Sequence, residues 1–89
     1  RIEHVLLPKF VKLYGNERNR KNIHEILKEF CDKGVYFENY NSNITELIRM
    51  ISKNDNDFAI ELCNRYIQNK NRNYEDILRE ISNKTETSN

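Results

Sequence analysis

The sequence predicts an all-α fold, a stack of antiparallel helical hairpins with about five helices in an α-solenoid-like arrangement. Two internal echoes carry that prediction. Ile44, Leu47, Ile48 and Ile51 return thirty positions later as Tyr74, Ile77, Leu78 and Ile81, with Glu46/Asp76 and Arg49/Arg79 in step. Apolar residues at i, i+3, i+4 and i+7 form one stripe of an amphipathic helix. Ile26, Leu27, Phe30 and Cys31 are echoed thirty-six positions on by Leu62, Cys63, Tyr66 and Ile67. Helices that repeat in this way cannot bury their apolar faces alone and stack on their neighbours. The third observation is that the one strand-like stretch, Val35 to Asn41, has no second strand to pair with, and an isolated strand is not stable.

The elements run in order along the chain. A first helix covers Ile2 to Tyr14, carrying Val5, Leu6, Phe10, Leu13 and Tyr14. Pro8 lacks an N–H and clashes in a helix interior, so it places either the helix start near Leu7 or a bend there. Gly15-Asn16 stops the helix. A second helix, Arg20 to Lys33, has Ile23, Ile26, Leu27, Phe30 and Cys31 at helical spacing, and Gly34 ends it. Val35 to Asn41 reads as an extended connector whose Tyr36, Phe37 and Tyr40 fill gaps between helices. Ser42 or Asn43 caps the third helix, which runs to about Ser52. Asn54-Asp55-Asn56-Asp57 reads as a turn and cap, because short polar side chains satisfy free N–H groups at a helix start. The fourth helix, Asp57 to Gln68, buries Phe58, Ala59, Leu62, Cys63, Tyr66 and Ile67. A polar loop, Asn69 to Asn73, leads to a fifth helix, Tyr74 to Ser82.

Length and composition set the scale. Eighty-nine residues suffice for one small domain or two to three repeat units. With 37% hydrophobic, 33% charged and 10% aromatic residues, the chain is polar for a globular domain yet too aromatic and periodic for a disordered one. Fifteen basic residues against fourteen acidic ones give a net charge of +1, so no overall field steers it to nucleic acid or an anionic surface. Residues 1–84 are expected to form one helical-repeat domain and 85–89 a flexible tail. The start at Arg1 and the polar end, Asn83 to Asn89, read as a piece of a longer polypeptide.

No apolar run approaches the length that crosses a bilayer, and Val5-Leu6-Leu7 is interrupted by Pro8 and Lys9. Cys31 and Cys63 each sit in an apolar helical stripe, as reduced thiols do in intracellular proteins, which points to cytoplasm or nucleus.

The motifs of catalysis do not occur. Gly15 and Gly34 are the only glycines, so there is no phosphate-cradling loop, and neither a nucleophile elbow nor a paired-histidine metal helix exists. His24, Cys31 and Cys63 lack the fourth ligand and the short paired spacing of a zinc site. Asp55 and Asp57 read as turn and cap residues. No catalytic residue, metal or cofactor is therefore expected, and the chain reads as non-enzymatic.

The run from Ile44 to Tyr66 resembles a tetratricopeptide or pentatricopeptide hairpin. It has an aliphatic pair in its first helix, a polar turn after Lys53, and a small Ala59 where two helices approach. Ile23 to Val35 looks like the second helix of a pentatricopeptide unit with its closing Lys-Gly-Val. The likeness spans most of residues 7 to 82; the connector after Gly34 is longer than the family's, and the tetratricopeptide Trp and Leu-Gly pair do not occur.

A tetratricopeptide-like array implies a groove that holds a protein or peptide partner. Its candidate residues here are Glu46, Arg49, Met50, Lys53, Asp76 and Arg79, with Tyr36 and Tyr40 in the connector as aromatic anchors. Met50 is unbranched and adaptable, which suits a partner surface. A pentatricopeptide-like array instead implies single-stranded RNA binding, with Glu46 at a base-reading position. The basic cluster Lys9, Lys12, Arg18, Arg20 and Lys21, with Tyr14 to stack, is the local feature that suits it. A third expectation is a homodimer formed through an exposed end of the stack. Protein binding, within a larger scaffold, is the leading one.

Overall fold

The computed structural model describes the backbone of residues 2–87 and the side chains of residues 4–83. The protein is all-α. Its elements are α1 (Ile2–Tyr14), a 3-10 turn (Glu17–Asn19), α2 (Arg20–Asp32), α3 (Ser42–Asn54), α4 (Asn56–Gln68) and α5 (Tyr74–Thr87), with no strand among the described residues. The chain divides into two compact units whose boundary falls between Leu47 and Ile48, inside α3. No helix among the described residues is long and apolar enough to cross a membrane.

In the first unit α1 packs against α2. The inward face of α1 is Leu7, Phe10 and Tyr14, at i, i+3 and i+7. That corrects the expected stripe: Val5 and Leu13 are exposed, at 54% and 46%. Pro8 is accommodated inside the helix, which starts at Ile2. Pro8 is exposed to solvent. α2 buries Ile23, Leu27 and Cys31, a stripe at every fourth residue, and leaves Ile26 outside it. The connector buries Phe37, whose ring meets Phe10 and Phe30 edge-on at centroid distances of 6.3 and 6.0 Å. Two such contacts hold seven residues of irregular chain in place without a second strand.

Caps set the helix ends. α2 closes with Gly34 at φ +77°, Gly34 N–H donating to Cys31 carbonyl (3.0 Å) and Val35 N–H to Phe30 carbonyl (2.7 Å). This is the paired C-terminal closure that left-handed glycine permits. α3 is capped one residue before the expected Ser42 or Asn43: the Asn41 side-chain oxygen accepts from Ile44 N–H at 3.1 Å. The buried Thr45 hydroxyl returns its hydrogen bond to the carbonyls of Asn41 and Ser42. Asp55 alone separates α3 from α4 and caps the latter by accepting from Phe58 N–H at 3.1 Å.

In the second unit α4 packs on α5. Of the two apolar stripes that repeat thirty residues apart, Ile48, Ile51, Tyr74, Ile77 and Ile81 are buried and Leu78 is half-buried; Ile44 and Leu47, which belong to the first unit, are buried as well. Phe58, Ala59, Leu62, Cys63 and Tyr66 make the inward face of α4. Tyr66 and Tyr74 sit ring against ring at 4.4 Å across the α4–α5 link. Asn56 ties the start of α4 to both neighbours, accepting from the Ser52 hydroxyl and donating to the Ile81 carbonyl at 3.3 Å. α5 continues to Thr87, beyond the last apolar position at Ile81. Of the expected tail, Ser88 and Asn89 lie outside the described residues.

Candidate functional site

The residues expected to line a groove are mostly committed to neighbours. Arg49 makes a two-pronged contact with Glu80, its Nε donating at 2.7 Å and an Nη at 3.1 Å. Asp76 and Arg79 face each other one turn apart on α5 at 3.4 Å. Lys53 and Glu46 are exposed and Met50 is half-buried, its carbonyl accepting from Asn54 Nδ2. Tyr36 and Tyr40 are half-buried, and the Tyr36 hydroxyl reaches the Cys31 carbonyl at 3.5 Å. Within the second unit, then, Asp76 and Arg79 come together, and Arg49 turns to Glu80, a residue outside the expected set.

The basic cluster divides. Tyr14 is fully enclosed, which corrects its expected role as a stacking platform: no base can reach its ring. Its hydroxyl lies 2.6 Å from His24 Nε2, and the two rings stack at 5.5 Å. With Nε2 as the unprotonated nitrogen, the phenol donates. Arg20 belongs to the same knot, donating from Nε to the Tyr14 carbonyl at 3.0 Å with its guanidinium 5.5 Å from the Tyr14 ring centre. Tyr14, His24 and Arg20 thus join α1 to α2. Lys9, Lys12, Arg18 and Lys21 are exposed, and none has an ion-pair partner among the described residues. At the start of α2 the first turn holds no acidic side chain and Asn19 makes no side-chain cap.

Cys31 and Cys63 are free and buried. Burial pushes the Cys63 thiol up from 9.0 to about 12, so it stays protonated and unreactive near neutrality. Among the described residues no three His, Cys, Asp or Glu side chains could hold a metal ion together. A depression of about 460 Å³ lies beside the α4–α5 link, lined by Ile67, Lys70, Arg72 and Glu75. Its charges are partly self-paired, Arg72 to Glu75 at 3.8 Å.

The surface feature that periodicity misassigned is apolar. Val5, Leu13, Ile26 and Val35 are all exposed large hydrophobic side chains, and all belong to the first unit. The signal was present in α1: one stripe accommodates Leu7, Phe10 and Tyr14, and Val5 and Leu13 fall on another face. No family model, no curated protein and no solved structure matches this chain.

Proposed function

We propose that the chain is a non-enzymatic helical interaction module that binds a partner protein, in the manner of a helical-repeat unit within a larger scaffold. The observation that carries this reading is the concentration of exposed large apolar side chains in the first unit, two of them on the outer face of α1. An apolar group left in water gains about 25 cal/mol for each Å² that a partner covers, and scattered polar surface offers no such return. The enclosed, free thiols of Cys31 and Cys63 support an intracellular location, cytoplasm or nucleus. The test is a photo-crosslinking amino acid placed at Val5, at Leu13 and, as control, at exposed Asp32. Discrete protein adducts from the first two sites alone uphold the reading. Adducts equally frequent at Asp32 overturn it.

Single-stranded RNA is the second reading, supported by the exposed Lys9, Lys12, Arg18 and Lys21, which make no ion pair among the described residues, and by the start of α2, which has no side-chain cap. Four phosphate contacts give a slope near −0.7 per contact in log affinity against log salt, so retention of labelled RNA must fall steeply between low and moderate salt. Retention without that fall excludes the basic cluster as its cause.

A further inference from the structure

We infer that the outer face of α1 docks an acidic amphipathic helix of a partner protein, a proposal that rests on the protein-binding reading and names the chemistry of the partner. At about 100° per residue, Lys12, Val5, Lys9 and Leu13 fall in that order across an arc of roughly 100°, opposite the buried Leu7, Phe10 and Tyr14. Val5 and Leu13 stand about 12 Å apart along the axis, two helical turns, with Lys9 between them and Lys12 at the edge of the arc beyond Val5. All four are exposed. Residues 4–14 contain these two lysines and no acidic residue.

Charge selects among occupants of this face. In a two-fold dimer of this chain the same patch would meet itself, bringing Lys9 and Lys12 against their own copies, which opposes association. A membrane surface suits a helix whose apolar and basic residues lie on separate sides, and here they alternate within one arc. RNA is held by aromatic platforms as well as cations, and Phe10 and Tyr14, the aromatic residues of α1, are both buried. A helix with apolar residues two turns apart and carboxylates between them satisfies both halves of the pattern. Its apolar residues cover Val5 and Leu13, and its acids meet Lys9 and Lys12, which make no ion pair among the described residues.

The experiment uses fluorescein-labelled helical peptides with leucines spaced two turns apart and flanks of glutamate, of glutamine or of lysine, titrated with the whole chain and read by anisotropy. The glutamate peptide is expected to bind at least tenfold more tightly than the glutamine peptide, and the lysine peptide not at all. The double variant Val5→Asp, Leu13→Asp abolishes binding while its far-ultraviolet circular dichroism stays native, because both side chains are exposed. The double variant Lys9→Glu, Lys12→Glu reverses the order and selects the lysine peptide, a result that loss of folding cannot produce. Equal binding of glutamate and glutamine peptides overturns the acidic partner and leaves apolar docking standing. Binding that survives Val5→Asp, Leu13→Asp places the site elsewhere and overturns the proposal. Failure of the glutamate peptide to bind also overturns it, as does uptake only by phosphatidylglycerol vesicles or by oligo-uridine. The crosslinking result at Val5 and Leu13 then decides the wider reading separately.

Discussion

At the end of α2, Gly34 and Val35 donate back to Cys31 and Phe30; thirty-six residues later, at the end of α4, Lys70 and Asn71 donate back to Ile67 and Tyr66 in the same pattern. The pattern matches and the residues do not. Gly34 takes φ +77° with nothing near the place a Cβ would occupy, and Lys70 takes φ +72° with a full side chain. A non-glycine residue in that region carries a cost on the order of 1–2 kcal/mol. The α4 end also leaves Asn71 Nδ2 buried without a hydrogen-bond partner. The chain just beyond each closure explains how both persist. After Gly34 it runs extended and is held by Phe37 between Phe10 and Phe30. After Lys70 it turns at once into α5, where Tyr74 is enclosed against Tyr66. One link is locally comfortable, and the other is strained and held by packing.

Removing the anchors breaks the comparison most severely. Phe37→Ala and Tyr74→Ala should each cost about 3–5 kcal/mol in urea unfolding, since both leave a cavity where an aromatic ring was enclosed. A cost under about 1 kcal/mol at Tyr74 would show that packing does not offset the strain at Lys70.

Alkaline titration probes α4 itself. The Cys63 thiol titrates near 9.0 when unfolded and about 12 when folded. Between those values the unfolded chain has lost a proton that the native chain keeps, so stability is intact below pH 9 and declines as pH rises. The slope approaches about 1.4 kcal/mol per pH unit in that window. Cys63→Ala removes this contribution, which chemical denaturation at pH 8 and pH 10.5 measures directly.

Exchanging the closing residues sharpens the comparison. Gly34→Ala should destabilise by about 1–2 kcal/mol through backbone strain alone, because its Cβ meets nothing. Lys70→Gly should stabilise by roughly 0.5–1 kcal/mol, strain relief less the added freedom of glycine in the unfolded chain. Opposite signs in thermal unfolding confirm that the two ends share one geometry. The smallest effect lies at Arg49 and Glu80, half-exposed and bidentate. A double-mutant cycle with Arg49→Ala and Glu80→Ala should give about 0.5 kcal/mol of coupling, shrinking as salt is added.

The all-α fold was legible where a signal is local. The isoleucine rows of α3 and α5 lie inside, the Asp55 cap holds α4, and Gly34 ends α2. The thirty-six-residue echo survives as a shared closure at Gly34 and Lys70, but its faces differ: Leu62 is buried and its counterpart Ile26 is exposed. The surface was less legible. Tyr14 belonged to a basic, stackable cluster by sequence and to the core by structure, because its neighbour His24 lies ten residues away. Arg49 read as a groove residue until α5 supplied Glu80, thirty-one residues on.

By itself the sequence determined where helices form and end, since spacing, glycine and short polar caps act over a few residues. It also determined that the chain is too polar and too evenly charged to act through a global field. Only tertiary structure decided which of the two apolar faces of α1 is covered, that Lys70 accepts a left-handed backbone, and that Tyr14 is enclosed. Each of those outcomes depends on what another segment places alongside. A periodic pattern specifies that a helix has a face; only the element packed against it settles which face meets water.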